Sequence, residues 1–460
     1  MEQIKYGWGI KETEQYDSLE KFLNSEEHFT SNNEIYKSIL KIVNDIKIID
    51  PACGSGHFLI TCLHIMSNIK KSVYSIIGRN KEMFEIEYET TTTNLFGIDI
   101  DPIAIELSHL RLFLALISSI DTKSDGQLTR LPNIEYNIIQ GNSLLGLQKL
   151  EDLKGGPIDL DMDEVGRKIG EIQILTNKYR VEADPIKAET MRDELKRRYK
   201  ELNERADKVF FNISKENNAD QNLVHYPIEF SDVFLRANPG FDIVIGNPPY
   251  GNIISADQWK YIIKYTGSKE IAGAFIDRLI PVMAEGSNLA MVITFAITFS
   301  KELSKTRHKL ISNFENTKIL TFDRDKCKVF SEMTQSVSFI FSNNKTQDTL
   351  GIIKTSQFLR IIPENYECDT HDISALSLYD RVPADPKRLS GTHRIPKIGG
   401  ESNFLILSRL MNTPTKVKAI HTKENSIKIW YRTSGNYWYK HENSKKSNKI
   451  KEFTASVCKA

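Results

Sequence analysis

Short apolar runs that stop at Gly, Asp or Pro alternate along the chain with longer stretches in which apolar residues recur every three or four positions. The first pattern predicts strands buried in a sheet, and the second predicts amphipathic helices. Ile35, Ile39, Leu40 and Val43 predict a helix over about 33–44 that leads into a strand at 46–50. Strands are also expected at 95–100, 135–140, 241–246, 289–294, 318–322 and 337–341, the last as one arm of an edge hairpin. Helices are expected at about 103–120, 272–285 and 301–314. The first of these is mostly apolar and so expected to be buried. Strands and helices in alternation predict an α/β fold with a Rossmann-like doubly wound sheet over roughly 30–345.

Two segments break this rhythm. Between 151 and 220 the chain carries 31 charged residues, 17 acidic and 14 basic, and Leu195, Tyr199 and Leu202 recur at helical spacing. An inserted helical hairpin is expected there. Arg192, Lys196, Arg197, Arg198 and Lys200 could meet a polyanion or simply form a solvated face. From about 350 to 400, Pro363, Pro383, Pro386, Pro396 and Gly399-Gly400 predict a loop-rich boundary. The layout expected is a lead over 1–28, a main domain over 29–345 carrying the 151–220 insertion, a linker over 346–400 and a small module over 401–460.

Charge changes the picture of that last module. The chain has 61 Lys+Arg against 60 Asp+Glu, but residues 387–460 hold 16 basic residues, 4 Glu and no Asp. Basic residues interleave there with Trp430, Tyr431, Tyr437, Trp438 and Tyr439, which suits nucleic-acid contact and equally suits a small β core. Hydrophobic residues at 40% and charged residues at 26% are ordinary for a globular protein. No apolar run is long enough to span a bilayer and the opening Met-Glu-Gln-Ile-Lys is no signal peptide, so a cytoplasmic protein is expected. The five cysteines show no metal-ligand spacing; reduced thiols and no metal are expected.

Candidate chemistry gathers at the strand ends. After the 46–50 strand come Asp50-Pro51-Ala52-Cys53-Gly54-Ser55-Gly56-His57, a glycine turn that lets a ligand approach the backbone and a helix N-terminus. Asp50 suits a cationic amine, and no Gly-Lys-Ser/Thr follows that would mark a phosphate loop. His57 reads as a helix-start surface residue before it reads as a catalyst. Asp99 ends the next strand where ribose hydroxyls would sit, and Asp101-Pro102 read as a helix cap and first helical position. Asn142 follows the third strand, either as a reader of a base edge or as an Asx turn. After the fourth strand stands Asn247-Pro248-Pro249-Tyr250. Consecutive prolines fix a stiff loop that presents acceptors, so Asn247 and the Pro248 carbonyl could take an NH2 group while Tyr250 stacks on its ring. A Pro-Pro turn closing a core strand is the plainer reading.

The pairing of Asp50-Pro51-Ala52-Cys53-Gly54-Ser55-Gly56 with a distant Asn247-Pro248-Pro249-Tyr250 resembles the N6-adenine DNA methyltransferases of the gamma ordering. Type IIG restriction-modification enzymes and related phage-defence methyltransferases are the members most similar. His225-Tyr226-Pro227-Ile228-Glu229-Phe230 and the helical arm before it resemble the same members. The resemblance implies a class I S-adenosylmethionine-dependent methyltransferase acting on double-stranded DNA, with a restriction or specificity subunit as a further partner and an incomplete target-recognition module over 401–460. It assigns Asn247, Pro248, Pro249 and Tyr250 to catalysis. Asp50, Ala52, Gly54 and Gly56 would hold the methionine part of the cofactor, Asp99 the ribose, and Ile100 with Asn142 the adenine. Phe29-Thr30-Ser31 resembles the N-terminal cofactor motif, with Ser31 where that motif has proline, and assigns Thr30 to the cofactor. Phe330 would stack on the target base opposite Tyr250. No Pro-Asp…Glu-x-Lys nuclease signature stands in the lead, so no restriction activity is expected of this chain. A protein glutamine or an RNA adenine as methyl acceptor, and a catalytically silent DNA-binding or specificity fragment, are the alternatives.

Overall fold

The computed structural model describes residues 33–120, 131–155, 162–214, 222–250, 271–327, 336–344 and 351–359, with short pieces at 259, 262–263, 266, 268, 270, 329, 380–382, 395, 427–432, 441–442 and 450–455. Two compact units result, 1–399 and 400–460.

Strands Ile48–Asp50 (β1), Leu95–Asp99 (β2), Ile138–Gln140 (β3), Phe241–Gly246 (β4) and Met283–Thr294 (β5) pair in parallel. Phe314–Phe322 (β6), Val337–Asn344 (β7), Ile352–Leu359 (β8) and Asp380–Val382 (β9) complete a nine-stranded sheet of order β3-β2-β1-β4-β5-β7-β6-β8-β9. The direction of winding reverses between β1 and β4, which opens a crevice at their carboxyl ends. In the second unit Ile427–Arg432 (β10) lies between His441–Glu442 (β11) and Ile450–Ala455 (β12), both antiparallel to it.

Alternation along the strands separates two cores. Ile48 and Leu95 turn to one face of the sheet, under Asn33–Asp45 (α1), His57–Ile76 (α2), Met83–Thr93 (α3) and Pro102–Ser118 (α4). Ile49 and Phe96 turn to the other. There they meet Met162–Val181 (α5), Pro185–Ser214 (α6), the short turns Tyr226–Glu229 (α7) and Ser231–Phe234 (α8), Ile271–Leu279 (α9) and Ser304–Asn313 (α10). Helices on both faces make the sheet doubly wound, as expected.

The insertion forms the expected hairpin, α5 and α6, and polar bonds as well as apolar contact tie it to the sheet. Arg180 on α5 donates to the Asn137 side chain at 2.7 Å and pairs with Asp232 at 3.1 Å. Asn137 in turn donates to the carbonyls of Thr92 and Leu95, fixing the start of β3. The basic residues of α6 are largely engaged within the hairpin: Arg192 pairs with Glu189, Arg197 with Glu194, and Arg198 with Glu194 and Glu171.

Several expectations are corrected. Helix α4 is not wholly buried: Ile105, Ser108, Leu112 and Leu116 face the sheet, while a second apolar row is exposed. Strand β7 is not at an edge, because it threads between β5 and β6 and the sheet continues through β8 and β9. Those two strands lie inside the stretch expected to be loop-rich. Helix α9 stops at Leu279 and β5 begins at Met283, since Pro281 lacks the N–H to continue the helix. Among the described residues no helix is long and apolar enough to cross a membrane, and no group of three or more His, Cys, Asp and Glu is arranged to hold a metal ion.

Candidate active site

The parallel pairing of β1 with β2 and β4 brings three strand ends to one edge. Asp50 closes β1 with its side chain almost wholly buried, and its Oδ1 accepts the Ala52 N–H at 3.1 Å. Burial pushes the Asp50 carboxyl up to about 7, and the nearby Asp99 charge adds to the rise.

The glycine turn is held open from three sides. Gly54 N–H donates to Asp99 Oδ2 at 2.8 Å, Ser108 Oγ donates to the Gly54 carbonyl at 2.8 Å, and Cys53 N–H donates to the Ile98 carbonyl at 3.0 Å. Gly54 and Gly56 have φ of +51° and +82°, in the left-handed region that favours glycine. A Cβ on Gly56 would stand 2.8 Å from Ser108 Oγ, whereas one on Gly54 would meet nothing within 4 Å. The turn therefore presents bare backbone to open space at Gly54, directly ahead of the α2 N-terminus. His57 is exposed and its ring meets Arg111 of α4.

Asp99 braces both flanking loops, with Oδ1 accepting the Asp101 N–H at 3.0 Å and its carbonyl accepting the Gly141 N–H at 2.8 Å. Each carboxylate oxygen keeps a second lone pair. Ile100, beyond it, is exposed. Asp101 caps α4 by accepting the Ile103 N–H, with Pro102 at the first helical position. Asn142 forms an Asx turn in which its Oδ1 accepts the Leu144 N–H at 3.0 Å. The next residue, Ser143, donates from Oγ to the Pro51 carbonyl and ties this loop to the glycine turn.

Asn247-Pro248-Pro249-Tyr250 leaves β4 immediately beside this group. The space at Gly246 is bounded by Asp50 itself: a Cβ there would lie 3.1 Å from Asp50 Oδ1 and 3.4 Å from Pro51 Cδ. Asn247 is exposed, Pro248 is buried, and Tyr250 is half-buried. The Tyr250 ring packs, as Phe58 of α2 does, on a cluster of Val292, Leu320, Phe322, Cys327 and Val337. Its hydroxyl contacts Asn247 Oδ1 and reaches the Val292 carbonyl at 3.1 Å. One phenolic proton serves only one of these two acceptors at a time.

The structure thus gathers Asp50, Ala52, Gly54, Gly56, Asp99, Ile100 and Asn142 around adjoining strand ends, next to Asn247–Tyr250. Thr30 and Phe330 lie outside the described residues. Sequence reasoning missed Ser108, Ser143 and Gly246. Ser108 had a readable signal, being the one small polar residue on the inward row of an otherwise apolar helix face. Ser143 and Gly246 had none, because their contacts come from residues roughly ninety and two hundred positions away.

A family model described as Eco57I restriction-modification methylase matches residues 93–330, and one described as MmeI, DNA-methyltransferase domain, matches residues 25–147. RM.MjaORFECS2P of Methanocaldococcus jannaschii is 27% identical over 450 residues, covering 79% of this chain and 38% of that protein. The type II restriction enzyme and methyltransferase RM.Eco57I of Escherichia coli is 28% identical over 194 residues, covering 39% of this chain and 19% of its own length. The adenine-specific methyltransferase PglX of Lacticaseibacillus casei is 23% identical over 327 residues, or 68% of this chain and 25% of that protein. The chain spans well under half the length of these curated relatives. The solved structure of the type IIL restriction-modification enzyme MmeI in complex with DNA aligns with a TM-score of 0.41 at 14% identity, over 73% of this chain and 36% of that one.

Proposed function

Because the chain belongs to the Eco57I restriction-modification methylase family, we propose that it transfers a methyl group from S-adenosylmethionine to N6 of an adenine flipped out of double-stranded DNA. The observation that carries this reading is the close approach of Asp50 to Gly246, where a Cβ would lie 3.1 Å from Asp50 Oδ1, with the glycine turn after β1 on one side and Asn247-Pro248-Pro249-Tyr250 on the other.

The residues suit the cofactor. Asp50 is a buried carboxyl with no cationic partner among the described residues and a raised pKa, so an arriving ammonium would hold it ionised. Gly54 offers backbone without a side chain, Gly56 allows the turn, and Ala52 lines it, so these four hold the methionine part. Asp99 takes the ribose hydroxyls on its free lone pairs, and Ile100 with Asn142 flanks the adenine. Thr30 and Phe330 complete the set in the same reading. Bound there, S-adenosylmethionine supplies an electrophilic sulfonium methyl.

The remaining work falls to the loop after β4. An adenine in a duplex is out of reach, and flipping it costs a few kcal/mol of unstacking, which the Tyr250 face offsets. With the Tyr250 proton on the Val292 carbonyl, a half-turn of the Asn247 amide sets Nδ2 on the phenol oxygen and frees Oδ1 for the substrate. Asn247 Oδ1 and the Pro248 carbonyl then accept the two N6 hydrogens and hold the nitrogen lone pair toward the methyl. Pro249 keeps the loop stiff. In this reading the catalytic domain runs over 29–345 with 151–220 inserted and continues through β8 and β9, which extend its sheet into the 346–400 stretch expected as a linker; 401–460 belongs to a target-recognition module, and a restriction or specificity subunit is a further partner.

The test is transfer of labelled methyl from S-adenosylmethionine to duplex DNA, followed by nucleoside analysis. N6-methyladenine that disappears with Asn247→Ala is expected. Label on RNA or on protein glutamine instead of DNA would overturn the substrate, and cofactor binding without transfer to any acceptor would overturn the activity for this chain.

A further inference from the structure

Helix α4 carries two apolar rows, and only one has a partner. Ile105, Leu112 and Leu116 lie against the sheet, whereas Ile103, Leu107, Leu110, Leu114 and Ile117 are 64%, 43%, 52%, 55% and 49% exposed. The outer five alternate in steps of four and three, which is the spacing of a coiled-coil seam. Single exposed apolar residues are ordinary on a protein surface. Five in one line along a whole helix mark an interaction face.

The charges beside the seam identify what fits it. With Leu107 and Leu114 at heptad position a, and Ile103, Leu110 and Ile117 at d, Glu106 falls at g and Arg111 at e. In a parallel pair of helices a g residue meets the e residue five positions further along its partner. Glu106 of one copy would therefore meet Arg111 of a second copy, twice by symmetry. An antiparallel pair centred on Leu110 would instead oppose Arg111 with Arg111. Arg111 already donates from Nη1 to the His57 ring, and its remaining donors can still serve a carboxylate. The seam is one row wide because the opposite face of α4 is buried, so it accepts a single partner helix.

We propose that the chain self-associates through α4, laid parallel against the same helix of a second copy about a two-fold axis along the seam. The interface rests on the outer row of α4, and it stands whatever reaction the crevice between β1 and β4 performs.

Sedimentation velocity of the 460-residue chain from low to high micromolar concentration tests this. The expected result is a concentration-dependent dimer. Leu110→Glu changes an exposed side chain, so it should leave the circular dichroism spectrum and thermal transition intact and give monomer throughout. Glu106→Arg should weaken self-association about tenfold by setting like charges across both symmetry-related pairs, and adding Arg111→Glu should restore it. A wild-type chain that stays monomeric, or a dimer indifferent to Leu110→Glu, would overturn the interface. A dimer that the double reversal fails to restore would overturn the parallel register.

Discussion

Asp50 gives the sharpest test of the proposed cofactor site, because its environment is unfavourable to the charge that pairing with the cofactor's ammonium would require. Its carboxyl is buried and raised from 3.8 to about 7, chiefly by loss of water, with one N–H bond from Ala52 opposing the rise. Ionised Asp50 therefore costs at most about 4 kcal/mol more in the fold than in the open chain. The open chain ionises this group above pH 3.8 and the fold only above about 7. Stability associated with the protonated form is thus complete below the first value, is lost between the two, and stays lost at higher pH. Asp50→Asn keeps an oxygen for the Ala52 N–H and removes the charge. The cofactor-free variant should then exceed the wild type in stability by up to about 4 kcal/mol at pH 8, and by only about 1.5 kcal/mol at pH 5. Urea unfolding of both proteins at the two pH values measures this, and the titrating groups that do not interact with Asp50 cancel in the difference. Calorimetric titration with S-adenosylmethionine should show the reverse order at pH 8, with wild-type affinity rising from pH 6 to 8 and the variant's lower and flat. A variant no more stable than wild type at pH 8, or one whose advantage ignores pH, would refute the reasoning.

Tyr250→Phe keeps the ring seated on the Val292 and Phe322 cluster but loses both hydroxyl contacts, so turnover should fall about tenfold while Tyr250→Ala falls further; equal losses in methyl-transfer rate would mean that the ring face contributes nothing. Gly56→Ala forces a left-handed φ and a Cβ 2.8 Å from Ser108 Oγ, and should cost about 2 kcal/mol in urea unfolding along with a weaker cofactor affinity. Gly146→Ala would drive a Cβ to 2.2 Å from the Val224 carbonyl oxygen at φ +109°, where backbone must move, so a loss of at least about 3 kcal/mol is expected by the same measurement. A Gly146→Ala chain as stable as the wild type would show that the loop after β3 is free to shift.

The parallel half of the sheet was readable because each strand is a brief apolar run ended by turn chemistry, and because Asp101-Pro102 is a cap in sequence and in space. The order β5-β7-β6 was not readable, since local pattern reports that β6 and β7 pair but not which strand lies outside them. Strand β8 was hidden by its surroundings, with prolines and glycines on its carboxyl side outweighing Ile352 and Ile353. Helix α4 misled for a physical reason: mean apolarity predicts burial, but a helix offers the sheet one row, and its second row needs a partner from elsewhere. At the site the motifs at the strand ends were readable, whereas their braces, Ser108 and Ser143, act on backbone carbonyls that no spacing rule connects to them.

The stretch His225 to Phe230 has a structural task that its sequence motif does not announce. Residues 222–226 run beside the loop after β3, with a single parallel bridge between Leu223 and Asn142: Asn142 N–H donates to the Asn222 carbonyl, Val224 N–H to the Leu145 carbonyl, and Tyr226 N–H to the Leu147 carbonyl. His225 is buried and accepts the Leu147 N–H at Nδ1, while its Nε2 meets Asp207 of α6 at 2.9 Å. That bond fixes the tautomer, because Nδ1 must be the bare nitrogen and Nε2 the one that donates. The Tyr226 hydroxyl reaches the Ser143 carbonyl at 3.1 Å, one residue from Asn142. The inserted hairpin therefore returns along the very loop that bears Asn142 and clamps it through both backbone and side chain. This accounts for an aromatic and histidine-bearing segment before β4 on packing grounds alone. It also makes the hairpin part of the site's frame, since Arg180 joins its other helix to Asn137 at the start of β3.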